Sequence, residues 1–347
     1  MPRALVGANP LSAPTWSGAV ESRAGAIPSA DRARPSESAS ARAFASPAPR
    51  SSRPASRHGW ALGCLVSLAM GCGFLTWFVE ALSHAHGRPW RRAGRRLEAG
   101  ARRRDDWMGG AAPDVDALEP MAREALAAAW TEVARDEHAS VGAFADLSQR
   151  LLAAGAPPSL IAQCHRAAIE EVDHAQRAFG FAGAYAGRPI GPAALEMPAA
   201  GKRDGSLPGL AAETLLDGCL GEGVAAALAR VGSGRAVDPV VAEVLETIAD
   251  DERGHAELAW EILRFCLDAG GAPVARRLRA QRLPRRMTSE ALLPESLAAH
   301  GLPTRADLTD AHEETRAEVE RRLAALLTRY SQKPVSALQV SSAQSVA

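Results

Sequence analysis

The chain lacks the signatures of several common enzyme classes. It has no glycine-rich phosphate loop and no dinucleotide fingerprint, and His312-Glu313 lacks the second histidine of a zinc-protease helix. Its five cysteines, at 64, 72, 164, 219 and 266, form no Cys-x-x-Cys pair, which argues against a zinc knuckle or a disulfide framework. Aromatic residues are only 5% of the chain, while alanine is used heavily, a balance that favours closely packed helices over sheets. Forty basic residues offset forty acidic ones, so no bulk charge draws the chain to nucleic acid. The basic stretch 276–286 has no interleaved aromatics, and a nucleic-acid partner is not expected; it reads as the polar face of a short helix.

What is present is organised in blocks. Residues 1–58, rich in Pro, Ser, Ala and Arg without a hydrophobic period, read as a disordered N-terminal region. Residues 59–82 contain an uncharged run, 60–79, long enough to cross a bilayer. It reads as a transmembrane anchor, a secretory signal peptide, or a lipoprotein signal ending at Cys72, although the residues before Cys72 fit the last pattern poorly. Gly63, Ser67 and Gly71 have a small-xxx-small spacing that would let two such helices pair in a homodimer. Residues 40–59 hold four arginines and residues 83–104 hold eight, a lean towards a cytoplasmic C-terminal part if the segment stays in the membrane; a cleaved signal would instead export the protein.

Residues 83–116 read as a basic linker, either lying on an anionic lipid surface or solvated. Helical periodicity then runs over about 118–154, 159–187, 210–230 and 238–270, within a block at 117–270. Gly155 with Pro157 and Pro158 stops the first helix, Ser159 is the expected N-cap of the second, and Asp238-Pro239 opens the fourth. A Gly/Pro-rich link at 188–208 joins the second helix to the third. Accessory helices are expected over 271–330, one with Leu308, Ala311, Val319, Leu323 and Leu326 facing the core, and a disordered tail over 331–347.

The chemistry is concentrated in the four helices. Asp251-Glu252-Arg253-Gly254-His255 sets a glutamate and a histidine three apart on one helix face. That stripe is otherwise apolar: Val241, Leu245 and Ile248 come before the pair, and Ala259, Ile262 and Cys266 after it. Glu171-Val172-Asp173-His174 repeats the pattern between Leu160, Cys164, Ala167 and Ala178, Phe181, Tyr185. Glu137 interrupts a third stripe, and Glu222 a fourth, where Gly218, Gly221, Gly223 and Ala225 leave little side-chain bulk, read either as space for a small molecule or as tight helix packing. Carboxylates on core-facing stripes are costly unless compensated, and two divalent ions would balance four of them. The competing reading is a set of scattered surface residues. Asp251 and Glu170 precede the glutamates of the two pairs at equivalent places, and each is expected to accept from the histidine of the opposite repeat, unless it is merely solvated.

Glu137, Glu171-x-x-His174, Glu222 and Glu252-x-x-His255 on four helices, with the long link in the middle, resemble the ferritin-like di-iron carboxylate proteins over roughly residues 118–270. More narrowly, the chain is similar to bacterial ferritin-like domain proteins with an exported or membrane-anchored N-terminus. The resemblance implies an all-α fold, a four-helix bundle with a long crossover between its second and third helices, here with extra C-terminal helices. It implies two iron ions, with manganese or a mixed iron–manganese pair as the other choices. Glu171 and Glu252 would bridge the ions, His174 and His255 would each bind one, and Glu137 and Glu222 would be terminal ligands. The function expected is oxygen or peroxide handling. It would be an oxidase or oxygenase acting on an unidentified substrate, an iron or peroxide stress protein without an organic substrate, or a metal-stabilised structural module.

Overall fold

Proline and glycine set the limits of the helices. A computed structural model describes residues 88–92, 95–197, 204–284 and 295–332, and within them the chain is predominantly helical. Helix α1 (Pro120–Ala153) ends where Gly155 takes a left-handed conformation, φ 68°; the Gly155 and Ala156 N–H groups then donate back to Leu152 and Leu151. Helix α2 (Pro158–Ala186) opens with a proline at its first position, and its N-cap is Pro157, not the Ser159 expected from the sequence. Proline fills this role because its fixed φ suits the first turn and its missing N–H has no helical acceptor there.

Helix α3 (Leu207–Glu213) is capped by Ser206, whose hydroxyl accepts from Gly209 N. It passes without a break into a nine-residue π-helical segment, Thr214–Glu222, and then into α4 (Gly223–Arg235), so 207–235 forms one rod. Asp238 caps α5 (Pro239–Ala280) by accepting from Val240 N. The stop expected at Gly270-Gly271 is a kink: Gly271 has φ 63° and ψ −141°, and a further helical stretch runs on to Ala280. A short 3-10 turn (Glu295–His300) precedes α6 (Arg305–Gln332).

Connections of three or four residues make α1–α2 and the 207–235 rod with α5 two helical hairpins, which meet along α2 and α5. Apolar residues fall into two large clusters. One gathers Phe144, Leu151, Cys164, Leu215, Ile262 and Cys266, joined by Leu308, Ala311 and Val319 of α6; the other gathers Leu126, Trp130, Phe179, Phe181, Leu245 and Ile248. On α1, α2 and α5 the chain passes from one cluster to the other across Glu137, Glu171-His174 and Glu252-His255. The candidate ligands therefore lie as a polar layer between two apolar ones. Cys164, Cys219 and Cys266 are free thiols in the core, and burial raises the Cys164 thiol to about 11.

Residues 88–116 depart from the linker expected here. Trp90, Leu97 and Ala99 are buried, and Trp107 packs edge-on against His138 of α1 and Phe179 of α2. Strand β1 (Arg91–Arg92) pairs with β2 (Arg95–Arg96); β3 (Ala101–Arg102) pairs with β4 (Gly191–Pro192) in the link after α2. Arg135 of α1 donates to Ala99 O at 2.7 Å, and Arg96 pairs with buried Asp136. The arginines that made this stretch look like a solvated linker are in part the groups that fasten it to α1. No described helix is long and apolar enough to cross a membrane; the uncharged run 60–79, residues 1–58 and residues 333–347 lie outside the described residues, while Ser331 and Gln332 of the expected tail continue the last helix.

The two clusters give a stability expectation. Leu263→Ala, at a fully buried position, should lower unfolding free energy by about 2–5 kcal/mol in a denaturant titration, whereas Leu152→Ala on the exposed face of α1 should change it by under about 0.5 kcal/mol.

Candidate metal centre

Each helix brings its ligand-type residue to the polar layer by the same device, a carboxylate placed where the helical period calls for an apolar side chain. Glu137, Glu171, His174, Glu222, Glu252 and His255 are all at most 2% exposed. They gather as two overlapping sets, Glu137-Glu171-His174-Glu252 and Glu171-Glu222-Glu252-His255, within each of which one ligand atom per residue lies within 4.8 Å of the others. Glu171 and Glu252 belong to both sets. These buried groups can hold metal ions.

The imidazoles are oriented from outside the layer. His174 Nε2 lies 3.1 Å from Asp251 Oδ2, and His255 Nε2 lies 2.9 Å from Glu170 Oε2. A carboxylate accepts, so each Nε2 carries the proton it donates. That leaves Nδ1 of each ring facing the layer, 3.7 and 3.8 Å from Glu171 and Glu252 for His174, and 3.3 and 3.5 Å for His255. Each histidine is thus held by the acid that precedes the shared glutamate of the other repeat, the crossed pairing expected from the sequence.

Inside the layer the hydrogen-bond accounts do not close. Both carboxylate oxygens of Glu171 and of Glu252, one oxygen each of Glu137 and Glu222, and Nδ1 of both histidines are buried without a hydrogen-bond partner. Unpaired buried polar atoms are rare because each forfeits its hydration without return. Eight converge on one place here. That donor set, carboxylate oxygens and imidazole nitrogens without thiolate, suits a divalent ion that does not require sulfur.

Charge tells the same story. Burial, then the Glu171 and Glu252 carboxylates, drive the Glu137 carboxyl well above its ordinary range. Burial and then Glu252 do the same to Glu222, against an opposing pull from Arg88. Burial works against ionised Glu171 too, but His174 and His255 outweigh it and hold that carboxyl near about 2. Burial lowers both histidines, but Asp251 and Glu171 more than reverse this at His174, as do Glu170, Glu171 and Glu252 at His255, so both rings end well above their usual value. Without cations, burial and mutual repulsion therefore favour protons on Glu137 and Glu222, and the surrounding acids favour them on both imidazoles.

Two features at the site have no signature in the sequence. Arg88, 6% exposed, donates from Nε to Glu222 Oε1 at 3.3 Å and lies over the Phe144 ring. It belongs to an arginine-rich stretch in which nothing marks one arginine as buried. The π-helical segment that ends at Glu222 is the other, and such segments are rare and often mark functional positions. Gly218 and Gly223 beside Glu222 are used for packing: a Cβ on Gly218 would lie 2.5 Å from both Ala259 Cβ and Arg88 Nη2, and one on Gly223 would lie 2.7 Å from Thr315 Cγ2.

The sign of the pH dependence follows. Glu137, Glu222, His174 and His255 all have folded values above their ordinary ones. Their stabilising effect is therefore complete below about pH 4.3 for the carboxyls and about pH 6.5 for the imidazoles, and is lost as pH rises towards the folded values. Glu171 acts oppositely, but only in acid. Chelator-treated protein should melt at a lower temperature at pH 9 than at pH 6.5, with Glu137→Gln reducing the difference, as read by circular dichroism. No family model, curated protein or solved structure matches the chain, so its function is read from this geometry.

Proposed function

We propose that the chain is a ferritin-like di-metal carboxylate protein, with two iron ions (or manganese, or one of each) held in the polar layer and dioxygen or peroxide as its oxidant. The observation that carries this reading is the convergence of eight unpartnered buried polar atoms in one layer, four of them on the shared pair Glu171 and Glu252. Two helical hairpins, each supplying a glutamate and then a Glu-x-x-His, and the long link between α2 and α3 support the ferritin-like assignment.

The roles divide among the residues. Glu171 and Glu252 have both oxygens free and belong to both ligand sets, which suits them to bridging. Glu137 and Glu222 complete one position each, and His174 and His255 offer Nδ1. Asp251 and Glu170 fix the ring tautomers and make each imidazole a better donor, the usual effect of a carboxylate behind a ligating histidine. The apolar layers on both sides keep water from the ligands. A pair of ferrous ions there would supply redox chemistry, reducing dioxygen or peroxide with electrons that a reductant restores.

The space beside the ligands favours small oxidants over a bound organic molecule. A cavity touching Glu137 and Glu252, walled by Trp130, Val133, Leu245, Ile248 and Leu302, measures about 10 Å³. That is room for about one water molecule. Iron or peroxide handling without an organic substrate is thus better supported than an oxygenase reaction on a large substrate.

The test is anaerobic loading of the full chain with ferrous iron, followed by exposure to peroxide or air. About two ions per chain are expected, halved or lost in Glu171→Gln, with oxidation of the bound iron faster than that of free iron. Fewer than one ion per wild-type chain would end the proposal. Two ions that raise the melting temperature but resist both oxidants would leave a structural metal module instead.

A further inference from the structure

The two halves of the layer are near copies. Each has a Glu-x-x-His, a single glutamate from the partner helix, and a histidine tied to an acid of the other repeat. The main departure from that symmetry is Arg88. No described cation has an ion pair with Glu137, whereas the Arg88 guanidinium is 3.3 Å from Glu222.

That arginine is seated with care. Its carbonyl accepts from the buried Ser140 hydroxyl at 3.1 Å, and its side chain covers the Phe144 ring. Two helix glycines make sockets for its segment. A Cβ on Gly218 would lie 2.5 Å from Arg88 Nη2, and a Cβ on Gly142 would come within 2.3 Å of the Trp90 ring. On the surface, Arg91 pairs with Asp217 of the π-helical segment at 2.8 Å. The segment before β1 thus bridges α1 and the π-helical segment, delivering one buried positive charge to one of two otherwise equivalent positions.

We propose that Arg88 is a positioning residue that makes the two metal positions unequal, so that the Glu137/His174 position fills first and the Glu222/His255 position second. Resting on the di-metal reading, the inference adds an order to it. Arg88 engages Glu222 Oε1 and leaves the unpartnered Oε2 as the oxygen turned to the layer. It also sets a fixed cation beside an incoming dication. The like charges repel, and no described cation stands beside Glu137 to do the same at the other position.

Equilibrium dialysis of the full chain against buffered ferrous iron, without oxygen, tests this. The wild type should show two steps, and the ratio of their dissociation constants should fall by about tenfold or more in Arg88→Gln through tightening of the second. Arg88→Lys, which keeps the charge, should retain most of the ratio, an outcome that a merely structural role would not produce. Should Arg88→Gln fail to fold, Gly142→Ala carries the test: its methyl group displaces Trp90 while changing no ligand, and should narrow the ratio likewise. Two wild-type steps with an unchanged or wider ratio in these variants would overturn the ordering and leave the di-metal reading intact. Fewer than one ion bound by the wild type would remove both.

Discussion

Four carboxyl groups and two imidazoles are shut inside an apolar core, and their charge must be balanced there. Two routes are open. Protons can neutralise the layer, as the raised Glu137 and Glu222 carboxyls favour, or divalent cations can. The proton route leaves eight buried polar atoms without hydrogen-bond partners. The cation route would give those atoms partners, while Nε2 of each histidine and Oε1 of Glu222 are already engaged from outside the layer.

Much of the architecture serves that layer. The apolar clusters above and below it exclude water, and all four rods carry residues into both. Rigidity comes from outside as well: crossed histidine–carboxylate bonds tie α2 to α5, and Arg96 and Arg135 fasten the N-terminal segment to α1 on the turn that carries Glu137. Helix α6 packs on the rod of 207–235, with Leu308, Ala311 and Val319 in the core and Thr315 against Gly223. The centre is thus enclosed by both the bundle and the chain on either side of it.

Helix-borne features were legible in the sequence, while features made by packing were not. A glutamate on an apolar stripe stands out because the period around it is regular, so all six members of the layer could be chosen and the acids behind the histidines placed by their equivalent positions. Asp238-Pro239 and Gly155 marked real helix limits, since capping and left-handed backbone are local properties. Ser159 was a misleading cap because Pro157-Pro158 already supplies the first turn. The signal at Gly270-Gly271 produced a kink, as the chain beyond it resumes a helix buried through Val274, Ala275 and Leu278. The docking of residues 88–116 had no periodic trace: it depends on single contacts, Trp90 in the Gly142 socket and Arg88 in the Gly218 socket, between residues far apart in sequence. The π-helical segment is equally silent, because widening a helix by one residue per turn leaves its composition unchanged.

Anomalous diffraction at the iron edge, from crystals grown after anaerobic ferrous loading, tests the central claim most directly. The account predicts two peaks about 3.5–4 Å apart between Glu171 and Glu252, one nearer Glu137 and His174 and the other nearer Glu222 and His255. A layer without peaks, or iron found only on the surface, would contradict it.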